Sequence, residues 1–276
     1  MARNVLITGG NSGIGYEMAL ALAAQGDRVI IAARSDSKNR SAIEQIKAKH
    51  PSANIEAMSL DLADFKNVDR FAADVLKKMP VIDTLILNAG LFTTKLHTLA
   101  SGYEAMMGIM HFGHFRLTMH LLDAVKAAKQ GRIVVTSSMM HAIGKINEAS
   151  FNDPKKHFSS MGAYGQAKLA NLLFTRELAK RLAGTKVTVN AFHPGAVATE
   201  IYRQAPAWTQ PLIRATMLTP AQGADTAIWL ATDPALQNVS GEYFVSRKKK
   251  SGSKISRDAA IAAQLWSLSE AEMKRA

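Results

Sequence analysis

Tyr164 and Lys168 stand four residues apart in "YGQAKLANLLF" (164–174), a segment whose Leu169, Leu172 and Leu173 recur at helical spacing with no Gly or Pro after Gly165. One helical turn brings a phenol and an ammonium to the same side, where their polar ends converge. A lone YxxxK is ordinarily an exposed tyrosine with a lysine lying past it. The alternative is a proton-transfer pair. An unperturbed tyrosine has a pKa of about 10, poorly matched to acid–base work around neutrality. A cation about 5 Å away, at an effective dielectric of about 20, favours the phenolate by roughly 3 kcal/mol, on the order of two pKa units.

A second group of residues suits phosphate. "TGGNSGIG" (8–15) follows the apolar run "NVLIT" and places Gly9, Gly13 and Gly15, with Asn11, Ser12 and Ile14 between them, at the entry to a helix. Glycines at such a turn let the backbone approach a pyrophosphate, which rests on the N–H groups and positive end of that helix. About 20 residues further on, where an acidic residue would bond a ribose 2′-hydroxyl and an Arg would accommodate a 2′-phosphate, "RVIIAARSDSKNR" offers Ala33 and Arg34, with no carboxylate before Asp36. This favours NADP(H) over NAD, with Lys38 or Arg40 adding charge. The alternative is an Arg34 that is only a solvated charge at a strand end.

The elements that position these residues alternate strictly. "NVLIT", "RVIIAA", "NIEAMSL", "TLILNAG", "GRIVVTSS" and "KVTVNAFHPG" read as strands, separated by helices from about Gly13, near 37–49, 64–78, 102–128 and around Tyr164. Each helix is long enough for a right-handed crossover, and the unbroken apolar runs suit strands covered on both faces. The expected fold is α/β, a doubly wound parallel sheet in a single domain over 1–276. Ligands of such sheets bind at the carboxyl ends of the strands, and the motifs fall there.

Composition narrows the class further. The 276 residues are 47% hydrophobic and 20% charged and include no cysteine, which removes disulfides, thiolate metal sites and thiol nucleophiles together. The eight histidines show no HExxH or comparable ligand spacing, so no metal is expected. No apolar run reaches membrane-spanning length and no signal-peptide pattern opens the chain, so the expectation is a cytoplasmic protein with no membrane span. The net charge of +12 is concentrated in part in "RKKKSGSK" (247–254), read as a mobile surface loop. Aromatic interleaving is absent there, so an anionic ligand such as a phosphorylated cofactor is favoured over nucleic acid.

TGGNSGIG, "LDLAD" around Asp61, "LNAG" (87–90), "VVTSS" (134–138), YGQAK and "HPGAVATE" (193–200) occur in an order that resembles the short-chain dehydrogenases/reductases, a Rossmann-type family. "AYGQAKLANLLFTREL" and "FHPGAVAT" look most like its retinol dehydrogenase-like branch. The resemblance implies that Tyr164 is the general acid or base at a substrate oxygen, and that Lys168 supports it and bonds the nicotinamide ribose. It implies that Ser138 hydrogen-bonds the substrate oxygen, with Ser137 the adjacent alternative. Asp61 and Leu62 would border adenine, Asn88, Ala89 and Gly90 would line the cofactor side, and Thr199 would meet the carboxamide beyond Pro194, Gly195 and Val197. His141 is expected to be a supporting or loop residue and not a base, and His193 to be structural. The reaction implied is hydride transfer between NADP(H) and a small-molecule carbonyl or alcohol, in a homodimer or homotetramer pairing through the helices near 102–128 and 162–183.

Two features leave readings open. "EIYRQAPAWTQPLIRATML" (200–218) reads either as an apolar lid that suits a lipophilic substrate or as a packed excursion. In "IMHFGHF" (109–115), Met110 occupies the place where the family carries an Asn, in a context like "VNHLGHF", that helps hold a water linking the lysine to solvent. A thioether cannot replace that amide. His114, on the Met110 face, is the candidate substitute relay, with a merely structural histidine as the alternative. The competing functional reading is a catalytically impaired NADP-binding regulator or sensor.

Overall fold

The computed structural model describes residues 2–197 and 217–274. Thr199 and most of the lid segment, 200–216, therefore lie outside the described residues. Strands β1 (Asn4–Thr8), β2 (Arg28–Ala32), β3 (Ile55–Met58), β4 (Thr84–Leu87), β5 (Gly131–Thr136), β6 (Val187–His193) and β7 (Tyr243–Val245) form a parallel sheet in the order β3-β2-β1-β4-β5-β6-β7. Strand order reverses between β1 and β4, which opens the crevice at their carboxyl ends. Every residue of β4, β5 and β6 is buried, as expected of strands covered on both faces.

Helices α1 (Gly13–Ala24) and α2 (Asp36–Lys49) cover one face, joined by α9 (Pro220–Thr232), around Val5, Ile7, Val29, Ile31 and Phe192. Helices α3 (Phe65–Lys78), α5 (His114–Lys126) and α8 (Ser160–Arg181) cover the other, around Leu6, Ile30, Leu85, Val135 and Val189. The alternation of residues between these two clusters is the two-residue period of a strand. Short helices α4 (Ala105–Met107), α6 (Glu148–Asn152) and α7 (Pro154–His157) complete that side, and α10 (Ala259–Met273) closes it.

Two expectations change. The long helix near 102–128 is α4 and α5 joined through a π-helical turn, Gly108–Gly113, the kind of irregularity that recurs at functional sites. The basic segment 247–254 is in part a strand: β8 (Lys248–Lys250) pairs antiparallel with β7. A two-residue turn connects them, with Ser246 and Arg247 both at positive φ, 49° and 59°. Arg247 is held there by its N–H donating to Thr226 Oγ1 at 3.1 Å and by its ion pair with Asp225. Lysines on the last strand keep the sheet edge from pairing with another chain. The last helix, α10, packs on α8. Trp266 stacks on Phe174 at 6.1 Å and meets Phe115 edge-on at 4.9 Å.

Candidate active site

A cleft of about 740 Å³ runs along the carboxyl ends of β1, β2, β4, β5 and β6. It is lined by Gly9, Asn11, Ser12, Gly13, Ile14, Gly15, Arg34, Asp61, Leu62, Asn88, Ala89, Gly90, Ser138, Tyr164, Lys168, Pro194, Gly195 and Val197. Every site residue expected from the sequence thus faces one cleft except Thr199, which lies outside the described residues. Lys38 also lines it, and Arg40 does not.

At the β1 end, Gly9 takes φ +67°, and a Cβ on Gly15 would collide with Gly9 O. Only glycine allows this approach, so the turn closes tightly on itself. The Ser12 side chain does not cap α1, and its first turn holds no acidic residue. By contrast, α2, α3, α8, α9 and α10 are each capped by a side chain. The first N–H groups of α1 therefore face the cleft with the positive end of the helix, an arrangement suited to an anion. Asn88 Nδ2 donates to Thr8 O at 3.1 Å, and Thr8 Oγ1 accepts from the N–H groups of Asn88 and Ala89 at 2.9 and 3.0 Å. Asn88 is thus scaffold for the turn. Asn11 Nδ2 donates to Asn39 Oδ1 at 2.7 Å and Asn39 Nδ2 to Ala33 O at 3.0 Å, tying the turn to the end of β2. There Arg34 is exposed and makes no ion pair among the described residues.

At the other end, Lys168 is buried, and its Nζ lies 5.5 Å from the centroid of the half-buried Tyr164 ring. Nζ donates to Thr136 O at 3.3 Å, and burial brings the ammonium down to about 8. It is mostly protonated at neutral pH. Phe92 meets Tyr164 edge-on at 5.5 Å and fixes the ring. Ser137 Oγ donates to Lys168 O at 2.8 Å, so its proton is committed to α8. Ser138 Oγ instead accepts from Met140 N–H at 3.2 Å. Its own proton has no acceptor among the described residues and is available to the cleft. The two serines are thereby told apart. Gly144 and Gly165 bring the Ser138 turn onto α8, because a Cβ on Gly144 would collide with Gly165 O.

Met110 is fully buried, and its Sδ lies 3.1 Å from where a Cβ on Gly90 would stand, with Lys168 Nζ 3.7 Å from the same point. Thioether and ammonium thus share one side of Gly90. His114 bonds Met110 O through Nδ1 at 3.1 Å and Thr8 Oγ1 through Nε2 at 2.9 Å. Burial lowers it to about 4, so it is neutral and bonded at both nitrogens. It braces the π-turn against β1. His111 turns away to Ser269 Oγ at 2.8 Å on α10.

The model of the short chain dehydrogenase family matches residues 3–210. The chain belongs to this family. It is 38% identical to retinol dehydrogenase 14 of Mus musculus, over 97% of this chain and 85% of that protein. Identity to retinol dehydrogenase 12 of the same organism is 40%, over 96% and 84%. Among solved structures, an uncharacterised protein of Mycobacterium paratuberculosis matches with a TM-score of 0.80 at 34% identity, covering 99% of this chain and 93% of that one. A short chain dehydrogenase of Shigella flexneri complexed with NADP shares the fold at a TM-score of 0.70 and 24% identity, covering 89% and 97%. This short-chain dehydrogenase is therefore an oxidoreductase of the retinol dehydrogenase-like kind. Among its described residues no helix is long and apolar enough to cross a membrane.

Sequence reasoning missed several contributors. Thr8 and Gly165 lie inside the quoted motifs but, like Asn39 and Gly144, act through hydrogen bonds or close approaches between distant segments that spacing does not show. Leu91, Phe92, Ile109, Met139, Met140 and Met161 also line the cleft. Clustering of methionine around the serine turn is their one visible signal.

Proposed function

We propose that this chain is an NADP(H)-dependent oxidoreductase acting on an apolar carbonyl or alcohol. The observation that carries the reading is the meeting, in one cleft, of an uncapped glycine-rich helix start with Ser138, Tyr164 and Lys168. The donor set fits the dinucleotide. Gly9, Asn11, Ser12, Gly13, Ile14 and Gly15 would hold the pyrophosphate, Arg34 the 2′-phosphate, and Asp61 and Leu62 the adenine. Asn88, Ala89, Gly90, Pro194, Gly195, Val197 and Thr199 would flank the nicotinamide half. When bound, the cofactor supplies or accepts the hydride.

This chain's own residues manage the oxygen. In reduction, Tyr164 gives its hydroxyl proton to the substrate oxygen while Ser138 O–H donates a hydrogen bond to that oxygen, stabilising the charge that develops there. The Lys168 ammonium lowers the cost of the phenolate that Tyr164 becomes. In oxidation the phenolate takes the alcohol proton. Met139 and Met161, 61% and 47% exposed, stand at the cleft beside Met140, Leu91 and Phe92. Such an adaptable apolar mouth supports a lipophilic substrate.

The Arg34 reading predicts NADPH binding at least about tenfold tighter than NADH, roughly 1.4 kcal/mol, with the preference shrinking in Arg34→Ala. Fluorescence titration of both cofactors measures this, and equal dissociation constants in the parent overturn it. Met110 beside Lys168 favours the second reading, a cofactor-binding regulator with impaired turnover. That reading predicts tight NADPH binding with no consumption of NADPH across a panel of aldehydes and ketones.

A further inference from the structure

Met139–Ile143, the 3-10 turn that carries Ser138 at its start, has little core of its own. Met139 and Ile143 are 61% and 54% exposed, and His141 is its one buried side chain. His141 Nε2 receives the Ser253 N–H at 3.0 Å. A backbone N–H only donates, so Nε2 holds the lone pair and Nδ1 the proton. That proton goes to Ser138 O at 2.6 Å. The ring also meets Tyr243 edge-on at 5.1 Å. His141 is therefore neutral, fixed in one tautomer and bonded at both nitrogens.

Its second partner is anchored in turn. Arg176, two turns beyond Lys168 on α8, donates through Nη2 to Ser251 O at 2.7 Å and through Nη1 to Ser256 Oγ at 2.9 Å and Ser256 O. Ser256 Oγ donates to Ser253 O at 2.8 Å. Residues 251–256 are thus a strap fastened to the helix that carries Tyr164, and His141 links that strap to Ser138.

We propose that His141 is a positioning residue for Ser138, and that the strap 251–256, acting through it, fixes the Ser138 hydroxyl relative to the Tyr164 phenol. This rests on the reading of Ser138 and Tyr164 as partners at the substrate oxygen. His141 touches neither substrate nor cofactor in this role.

The test uses the full chain with His141→Phe, which keeps a ring against Tyr243 but makes neither hydrogen bond, and His141→Gln, whose amide can both donate and accept. A misplaced catalytic group costs up to about a hundredfold, so His141→Phe should lower kcat by about tenfold to a hundredfold. KM and the NADPH dissociation constant should stay within about twofold, and His141→Gln should recover most of the loss. Hydrogen–deuterium exchange should show residues 138–144 and 251–256 losing protection together in the Phe variant. The proposal is overturned if kcat of the Phe variant matches the parent, or if the Phe and Gln variants are impaired alike. If the parent turns over no carbonyl, the functional reading fails on its own. Exchange then still decides the linkage, and unchanged protection of 138–144 in the Phe variant overturns it.

Discussion

Met110 stands beside the Lys168 ammonium, the proposed support of Tyr164, and its thioether can neither donate a hydrogen bond nor accept a strong one. His114 does not compensate. It is neutral and occupied at both ring nitrogens, so the structural alternative for this histidine is the one the geometry supports. On the proposed reading, a proton returning to Tyr164 through Lys168 passes a thioether that cannot hold a water as an amide would. We expect a slow parent enzyme and a severalfold higher kcat for Met110→Asn, measured with saturating NADPH on a working carbonyl. A folded Met110→Asn variant with kcat unchanged or lower, against a fast parent, contradicts this. The same scale shows what a sequence can reveal about a site. Tyr164 and Lys168 are one helical turn apart and their convergence is local. The resemblance already points to Ser138, and the hydrogen bond that commits Ser137 to Lys168 O adds a reason that sequence spacing does not contain.

Elements meet at the site through contacts that leave no room for side chains. The serine turn reaches α8 because Gly144 and Gly165 face each other, with Met140 O 2.9 Å from where a Gly165 Cβ would stand. Gly144→Ala should push the turn off the helix and lower kcat by about tenfold or more, since small misplacements of catalytic groups are costly. NADPH affinity should hold, because the glycine-rich turn is remote from this contact. Steady-state kinetics beside a cofactor titration checks it, and a variant with parental kcat refutes the close-approach argument. Six strands and their crossover helices were legible because apolar runs and helical periods are local signals. β7 and β8 were not. Each has three residues, and the Ser246–Arg247 turn between them lacks the Asn-Gly or Asp-Gly pair that announces such a hairpin. Its positive φ angles are sustained by Thr226 and Asp225, far away in sequence.

Across the whole molecule, burial of neutral histidines sets the response to acid. Burial lowers His111 to about 3 and both His114 and His193 to about 4, from an ordinary 6.5. Below that ordinary value the unfolded chain takes up protons that the folded chain refuses, so stability is full above about pH 6.5 and falls with acidification towards about pH 4. At about 1.4 kcal/mol per pH unit for each histidine, stability should be lower by about 4 kcal/mol at pH ~5.5 than at pH ~7.5. Urea unfolding at the two pH values measures this, and equal midpoints rule it out. Whether Tyr164 moves the proton in the proposed NADP(H)-dependent carbonyl reaction is decided by NADPH consumption by parent and Tyr164→Phe on the best substrate from a carbonyl panel. The parent should turn over, and the Phe variant should lose at least about a thousandfold in kcat with NADPH affinity nearly unchanged. Comparable turnover by a verified Tyr164→Phe protein would contradict it.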